Sequence, residues 1–166
     1  MSSPKIVYPL EQIIEVKQRR VEDAEKVVKE KMALLEKEQK KLEERQAERD
    51  KVKNHYQDKL KQLRQIMDEG TTSPKIQQMK VYLKVVDEKL KIEEKKVKDQ
   101  QEQVNIATKN LEQAREDLRL KRQEVDKLLS HRKDWMSQMK KELDIIEGRE
   151  QDELGSIIYT SRHSKS

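Results

Sequence analysis

The chain has 166 residues and no cysteine; 43% of its residues are charged and only 33% are hydrophobic. This composition argues against an ordinary globular core, excludes disulfides and cysteine-based metal sites, and leaves either a disordered chain or a long helical assembly with a narrow apolar core. The net charge of +5 is the small difference between 38 basic and 33 acidic residues spread along the chain, so it gives little support to nucleic-acid binding.

The first predicted element is a helix over residues 9–69, preceded by a short leader over residues 1–8. Pro9 suits the first turn of a helix because it has no N–H to leave unpaired. Alternating steps of three and four residues from Val7 to Ile66 give eighteen core positions, of which twelve are apolar. Charged residues interrupt the middle of this arm, which is therefore expected to be its softest part. They are Lys31, Glu38, Arg45 and Arg49.

A turn is predicted at residues 70–73, the clearest break in the charged, periodic sequence. Gly70 can adopt a left-handed conformation without steric cost, which suits the residue just after a helix end. Ser73 is a good N-cap for the next helix, and Pro74 suits its first position. A loop this short sends the second helix back along the first.

The second predicted helix covers residues 74–150. Its core positions run from Ile76 to Ile146, and sixteen of these twenty-one are apolar. A strict seven-residue repeat of this length favours a left-handed coiled coil. Together with the short turn, the repeat predicts an all-α fold, namely a long antiparallel two-helix coiled-coil hairpin.

Residues 151–166 are predicted to form a flexible C-terminal tail, because the repeat fades after Ile146 and two glycines follow at Gly148 and Gly155. The tail nevertheless contains a cluster of apolar residues, which is open to two interpretations. The cluster is either a loosely packed last turn or a docking peptide that orders on a partner. Its members are Leu154, Ile157, Ile158 and Tyr159.

The register of the hairpin follows from its turn: residues whose numbers add to about 142 should face each other. Apolar residues then meet apolar residues in most layers, and Arg49 faces Glu93. Two opposite charges in one core layer can fix the alignment of a coiled coil at some cost in stability. We therefore predict Arg49 and Glu93 as a register pair.

No catalytic or cofactor site is expected. The three histidines His55, His131 and His163 are far apart and have no metal-ligand spacing. The sequence contains no phosphate-binding loop, dinucleotide fingerprint or nucleophile elbow, and a two-helix hairpin offers no deep pocket. It also lacks the apolar run of a membrane span and the core of a signal peptide. We expect a non-enzymatic protein that binds no metal and no cofactor.

Trp135 falls on a core position at the open end of the hairpin, opposite Val7 and Tyr8. It is either part of the core or an interface anchor, because an aromatic side chain ringed by arginine is common at interfaces. The basic residues that we assign to this end can likewise form a binding surface or only a solvated face. They are Arg19, Arg20, Arg122, Arg132 and Lys133.

Six segments carry a resemblance to a known family. They are YPLE at Tyr8–Glu11, VEDAEKVVKEK at Val21–Lys31, ERDKVKNHY at Glu48–Tyr56, GTTS at Gly70–Ser73, YLKVV at Tyr82–Val86 and DW at Asp134–Trp135. Through them the chain resembles the YscO/FliJ family of type III secretion, most closely its chlamydial YscO-like branch. The resemblance covers most of residues 7–150.

The resemblance implies a non-enzymatic central stalk or adaptor of the type III secretion ATPase, similar in shape to the coiled coil of the rotary ATPase gamma subunit. The open end would enter the pore of the ATPase ring, which makes the basic residues above and Trp135 candidates for ATPase contacts. The turn end would contact the cytoplasmic domain of the export gate. Our candidates for that contact are Met79, Tyr82 and Val86.

Family members also bind secretion chaperones, so chaperones are a further expected class of partner. The resemblance implies a cytoplasmic location, peripheral to the inner-membrane secretion apparatus. We expect a monomer with no nucleic-acid partner and no direct membrane insertion. The alternative is a generic coiled-coil scaffold or spacer protein that self-associates, and it predicts dimers whose amount depends on concentration. A nucleic-acid-binding rod would need a basic face, which the even mixing of charges speaks against.

Overall fold

The computed structural model describes residues 5–70 and 73–164, and these form two α-helices and no strand. Helix α1 runs over Glu11–Asp68 and helix α2 over Ser73–Ser164. The two helices pack antiparallel, which confirms the predicted all-α coiled-coil hairpin. Their contacts divide the chain into two units, which we call the terminal unit (Met1–Glu25 with Asp117–Ser166) and the turn unit (Lys26–Glu116).

The turn between the helices follows the sequence prediction at Gly70. This glycine has a φ of 75°, the left-handed conformation that it adopts without steric cost. Its N–H donates to the Met67 carbonyl at 3.3 Å and thereby closes the last turn of α1. Helix α2 begins at Ser73, while Thr71 and Thr72 of the predicted turn lie outside the described residues.

In the turn unit, seven of the twelve predicted core positions of α2 are buried and the other five are half-buried, while those of α1 are mostly half-buried. The buried side chains are Leu63, Leu83, Val86, Leu90, Val104, Ala107, Leu111 and Ala114. Between Lys26 and Gln62, no core position of α1 is buried, because several carry charged side chains whose heads must reach water. At one layer the structure departs from the predicted repeat by a single residue, since Gln46 is half-buried and the predicted Arg45 is exposed.

In the terminal unit, the core contains Tyr8 as well as the predicted Ile14, Ala24, Leu118 and Val125. The prediction placed Val7 in the core, but Val7 is 69% exposed and Tyr8 only 4%. Helix α1 starts at Glu11, whose N–H donates to the Tyr8 carbonyl at 3.2 Å, and residues 5–8 are not helical. A helical repeat cannot be continued into such a segment.

The contacts of the turn unit correct the predicted register. Gln100 hydrogen-bonds to Glu38, whereas the prediction placed residue 42 opposite it. Tyr82 hydrogen-bonds to His55 instead of facing residue 60. The helices of this unit are therefore displaced by about one turn from the predicted alignment.

The displacement explains why the predicted register pair Arg49–Glu93 is wrong. Arg49 Nη2 lies 3.1 Å from Asp50 Oδ1, and Glu93 Oε1 lies 3.3 Å from Lys96 Nζ. A seven-residue repeat does not fix the register to within a turn, since core positions recur every three or four residues. Shifting one helix by a single step again places apolar residues against apolar residues.

The C-terminal residues form a helix rather than the predicted flexible tail. Helix α2 continues through Gly148 and Gly155 to Ser164. A glycine inside a helix costs about 1 kcal/mol relative to alanine but does not end the helix, and no proline follows. The last turn carries Arg162 and His163, which interact favourably with the partial negative charge at a helix C-terminus.

Candidate functional site

An aromatic cluster closes the terminal unit where α1 begins. The Tyr8 hydroxyl is hydrogen-bonded to His131 Nδ1, and the Tyr8 ring meets the edge of Trp135 with ring centroids 5.5 Å apart. The predicted position of Trp135 opposite Tyr8 therefore agrees with the structure. Trp135 is half-buried, so part of its side chain packs in the core and part remains accessible to a partner.

Two of the predicted ATPase-binding residues form ion pairs across the helices of the terminal unit. Arg132 Nη1 lies 2.6 Å from Glu11 Oε1, and Arg122 Nη2 lies 3.1 Å from Glu25 Oε1. Both pairs are partly exposed, so each contributes about 0–1 kcal/mol to folding. A partner that recruits these arginines must first compete with their carboxylates.

The other three predicted basic residues, Arg19, Arg20 and Lys133, are exposed, and within the described part of the chain none of them has an ion-pair partner. They are free to bind acidic groups of another protein.

The predicted register places residue 20 nearly opposite residue 122, which would cluster Arg20 with Arg122, but the structure does not bring them together. Arg122 lies across a groove from Gln18 and Glu22 of α1. Successive residues of a helix are about 100° apart, so Arg20, two residues from each of these, points to nearly the opposite side of α1. The predicted basic residues are therefore distributed around the terminal unit rather than gathered in one patch.

Beyond the aromatic cluster, α2 continues as a single exposed helix. Every residue from Asp144 to Ser164 is exposed except Gly148, which is half-buried. The exposed apolar residues of this segment have no counterpart in α1 among the described contacts. They are Ile145, Ile146, Leu154, Ile157, Ile158 and Tyr159. Sequence reasoning identified four of the six but assigned them to a flexible tail.

At the turn end, the three predicted gate-binding residues differ in what they can offer a partner. Val86 is buried in the core and Met79 is half-buried, so neither presents a full side chain. Tyr82 is 45% exposed. Its hydroxyl lies 2.6 Å from His55 Nε2, the two rings meet edge to face, and Lys59 Nζ lies 5.9 Å from the Tyr82 ring centroid.

Sequence reasoning missed both tyrosine–histidine pairs, Tyr8–His131 and Tyr82–His55. Tyr82–His55 joins α2 to α1 at positions next to the core, and Tyr8–His131 joins the segment before α1 to α2. The register error of about one turn in the turn unit hides the Tyr82–His55 pair. Tyr8–His131 was missed because the helical repeat was continued through Tyr8, which lies before α1 begins. Within residues 5–70 and 73–164, no group of acidic or histidine side chains could hold a metal ion. Neither of the described helices contains an apolar stretch that could span a bilayer.

The comparisons with known proteins agree with this architecture. A family model described as YscO-like protein matches residues 5–165, so the chain belongs to the YscO-like family, which serves type III secretion. The solved structure of CT670 from Chlamydia trachomatis, described as a YscO homolog, is 48% identical with a TM-score of 0.94. The match covers 98% of this chain and 100% of that one, which confirms the resemblance to the chlamydial branch.

A second solved structure covers part of the chain. It comes from the CdsV and CdsO protein complex of Chlamydia pneumoniae and is 57% identical over 51% of this chain and 98% of that chain, with a TM-score of 0.49. Comparison with curated proteins gave no significant match.

Proposed function

We propose that this member of the YscO-like family is a non-enzymatic stalk or adaptor that couples a type III secretion ATPase to the export gate. It acts as a monomer in the cytoplasm, at the inner-membrane secretion apparatus. Chaperone binding is a secondary part of the proposal, based on the family. The action is mechanical: a stiff coiled coil transmits changes in the ATPase ring to a distant gate through many weak contacts.

The observation that carries the proposal is the change from two helices to one within the terminal unit. Residues 144–164 extend beyond the last contacts with α1 as a single exposed helix. With its side chains a single helix is about 10–12 Å across, so it fits a ring pore that would be too narrow for a hairpin. We propose that this segment enters the ring and that Arg19, Arg20 and Lys133 contact acidic residues around the pore.

The start of α2 supports a separate contact with the gate. Residues 73–86 contain three lysines and no acidic residue, and Tyr82 is exposed among them. A basic surface with one large aromatic side chain suits an acidic partner surface, because aromatic residues dominate the binding energy of many interfaces. We propose Tyr82 as the main gate contact and Met79 as a lesser one, while Val86 acts through the core.

The proposal is tested by removing the single helix. A chain truncated after Leu143 keeps all the cross-helix contacts described above, so its melting temperature and helicity per residue should stay close to those of the full chain. Added to the purified ATPase of the same secretion system, the full chain should stimulate ATP hydrolysis and the truncated chain should not. Full stimulation by the truncated chain would exclude the single helix as the pore segment. Absence of stimulation and of binding by the full chain would exclude the stalk function itself.

A further inference from the structure

The far end of the single exposed helix contains the longest uncharged run of the chain. Residues 154–161 are eight consecutive positions without Asp, Glu, Lys or Arg, and the next longest such run, residues 103–108, has six. We call residues 154–161 the apolar band. In a chain of which 43% of the residues are charged, such a run on an exposed helix points to burial against a partner. The four apolar side chains of the band are 53–64% exposed. They are Leu154, Ile157, Ile158 and Tyr159.

The apolar side chains of the band point in several directions rather than along one face. Successive residues of a helix are about 100° apart, so Leu154 lies about 60° around the axis from Ile157, and Tyr159 lies about 200° from it. Ile158 lies between them, so the four residues span more than half of the circumference. A flat surface or a single neighbouring helix covers only one side of a helix, whereas a helix that is apolar around its axis is typically buried. The band therefore fits an enclosing site better than a groove.

The Thr160 hydroxyl of the band is satisfied within the helix. It donates to the Ser156 carbonyl at 2.9 Å. The Tyr159 ring packs against the His163 ring, with centroids 4.1 Å apart. A hydroxyl that is already hydrogen-bonded costs little to bury, whereas a charged side chain would cost far more. Apolar side chains can therefore enclose the band without leaving the Thr160 hydroxyl unpaired.

The charges on either side of the band indicate the depth of the enclosing site. Residues 144–153 contain five carboxylates and one arginine, and Arg162 and His163 follow the band. At about 1.5 Å per residue, the band is about 12 Å long and begins about 15 Å beyond Asp144, the first residue of the single helix. A complementary lining is therefore polar near its entrance and apolar further in.

The shape and the surroundings of the band argue against a membrane as its partner. A helix that lies on a bilayer has its apolar residues on one face, and a run of eight residues is too short to span the hydrocarbon core. An anionic lipid surface would also repel the five carboxylates that precede the band. An enclosing protein site matches the band without bringing those carboxylates onto lipid.

We propose that the apolar band is enclosed by a collar of apolar side chains inside the pore of the secretion ATPase ring, beginning about 15 Å beyond the start of the single helix. The inference rests on the proposed entry of residues 144–164 into the ring and adds a second kind of contact to it. Arg19, Arg20 and Lys133 hold the stalk at the entrance by charge, while the band is held inside by the exclusion of water.

Substitution of Ile157 and Ile158 tests the collar. The variant Ile157→Gln/Ile158→Gln should keep its helicity and melting temperature in circular dichroism, because glutamine is a good helix former and both side chains are exposed. Isothermal titration calorimetry with the purified ATPase of the same secretion system should show at least about tenfold weaker binding than for the wild type, because two apolar side chains lose their burial. The difference should persist at about 0.5 M salt, where charge contacts are screened but apolar contacts are not.

Ile92→Gln/Ile106→Gln is the matched control. Ile92 and Ile106 belong to the turn unit, are 57% and 51% exposed, and lie outside every contact assigned to the ATPase. This variant carries the same two changes of residue type, so it should bind the ATPase within about twofold of the wild type.

A second isoleucine pair on the single helix locates the collar along the axis. Ile145 and Ile146 are 55% and 49% exposed and lie among the carboxylates that precede the band. Ile145→Gln/Ile146→Gln should bind the ATPase at least about threefold more tightly than Ile157→Gln/Ile158→Gln, because the lining at its level is polar and buries less apolar surface. Equal losses of affinity in these two variants would overturn the collar.

Truncation after Leu143 separates failure of the collar from failure of pore entry. If the truncated chain loses stimulation of ATP hydrolysis while Ile157→Gln/Ile158→Gln binds like the wild type, the single helix enters the ring but no apolar collar encloses the band. If the truncated chain stimulates fully, pore entry is excluded and the collar with it.

Two other results would give the band a different partner and overturn the proposal. Both require that the wild type and Ile157→Gln/Ile158→Gln bind the ATPase equally. The first is sedimentation of the wild type, but not of the variant, with vesicles that contain phosphatidylglycerol, which would assign the band to a membrane. The second is self-association of the wild type that the variant abolishes, which would assign the band to a second copy of the chain.

Discussion

The Gln100 side-chain amide bridges two acceptors of Glu38 across the turn unit. Its Nε2 donates to the Glu38 backbone carbonyl at 3.0 Å and to the carboxylate Oε2 at 2.5 Å. Both residues occupy core positions, so this layer is polar where its neighbours along α2 are apolar. A polar core layer aligns two helices more strictly than an apolar one, because a shifted helix leaves its polar groups unpaired.

This contact predicts energetic coupling between Gln100 and Glu38. In a double-mutant cycle of Gln100→Leu and Glu38→Leu, the coupling energy should be about 1 kcal/mol, the usual net value of a hydrogen bond, or somewhat more because the acceptor is charged. The double variant should be at least as stable as the wild type, since two leucines can pack against each other. Urea denaturation followed by circular dichroism measures all four proteins. A coupling energy near zero would mean that the layer does not determine the alignment.

The aromatic cluster predicts that Tyr8→Ala lowers the free energy of unfolding more than Tyr8→Phe does. Tyr8→Phe removes only the hydrogen bond to His131 and should cost about 1 kcal/mol of unfolding free energy. Tyr8→Ala also removes a buried ring and should cost at least about 2 kcal/mol. Trp135 is the one tryptophan of the chain, so its fluorescence reports directly on this site. Its emission should shift to longer wavelength in Tyr8→Ala and stay nearly unchanged in Tyr8→Phe; equal shifts in both variants would contradict the packing described here.

Comparison of these residues shows what periodicity can and cannot predict. Burial of Leu83, Leu111 and Leu118 could be predicted because the helical repeat determines which side of a helix faces its partner. The repeat does not determine how far one helix is shifted along the other. The partners predicted for Gln100 and Tyr82 on α1 therefore lie about one turn from their actual partners, Glu38 and His55. In a chain with several polar core positions, alignment depends on individual hydrogen bonds such as Gln100–Glu38, which only the structure reveals.

The candidate sites were less predictable than the core for a related reason. Exposed residues such as Arg19, Arg20 and Arg122 were grouped by their level along the hairpin, without regard to which side of each helix they occupy. The helical tail was missed because Gly148 and Gly155 were read as breaks, although the surrounding Glu, Gln, Arg and Leu residues favour helix. Both errors concern exposed residues. Their positions cannot be inferred from a pattern of buried apolar residues, because they are not part of the core.

Tyr82 should contribute more to binding the export gate than to the stability of the hairpin. Tyr82→Ala should lower affinity for the purified cytoplasmic domain of the export gate at least tenfold, as expected when an aromatic anchor is removed. His55→Ala is the control, since it breaks the same hydrogen bond but leaves the Tyr82 ring in place. It should bind the gate domain nearly as well as the wild type. If both variants lose affinity equally, the effect arises from the Tyr82–His55 contact and not from the exposed ring.

The last prediction concerns Arg19, Arg20 and Lys133, the three predicted ATPase-binding residues that have no ion-pair partner among the described residues. Changing Arg19, Arg20 and Lys133 to glutamate should abolish stimulation of the secretion ATPase, because contacts around a ring pore must be numerous, weak and largely electrostatic if the stalk is to move within it. The melting temperature should stay nearly constant, since exposed charges without ion-pair partners add little to stability. Wild-type binding should weaken as salt rises from about 0.05 to 0.5 M, because exposed charges are screened.

A variant with the same change in net charge separates a local effect from a general one. Lys53, Lys98 and Lys109 are exposed in the turn unit and form no ion pairs within the described residues. Changing these three to glutamate should leave stimulation within about twofold of the wild type, because a pore contact confined to the terminal unit is unaffected by charge elsewhere. If both triple variants lose stimulation equally, the ATPase responds to net charge and the assignment of Arg19, Arg20 and Lys133 is wrong. If the first triple variant folds and stimulates normally, the pore contact does not use these residues.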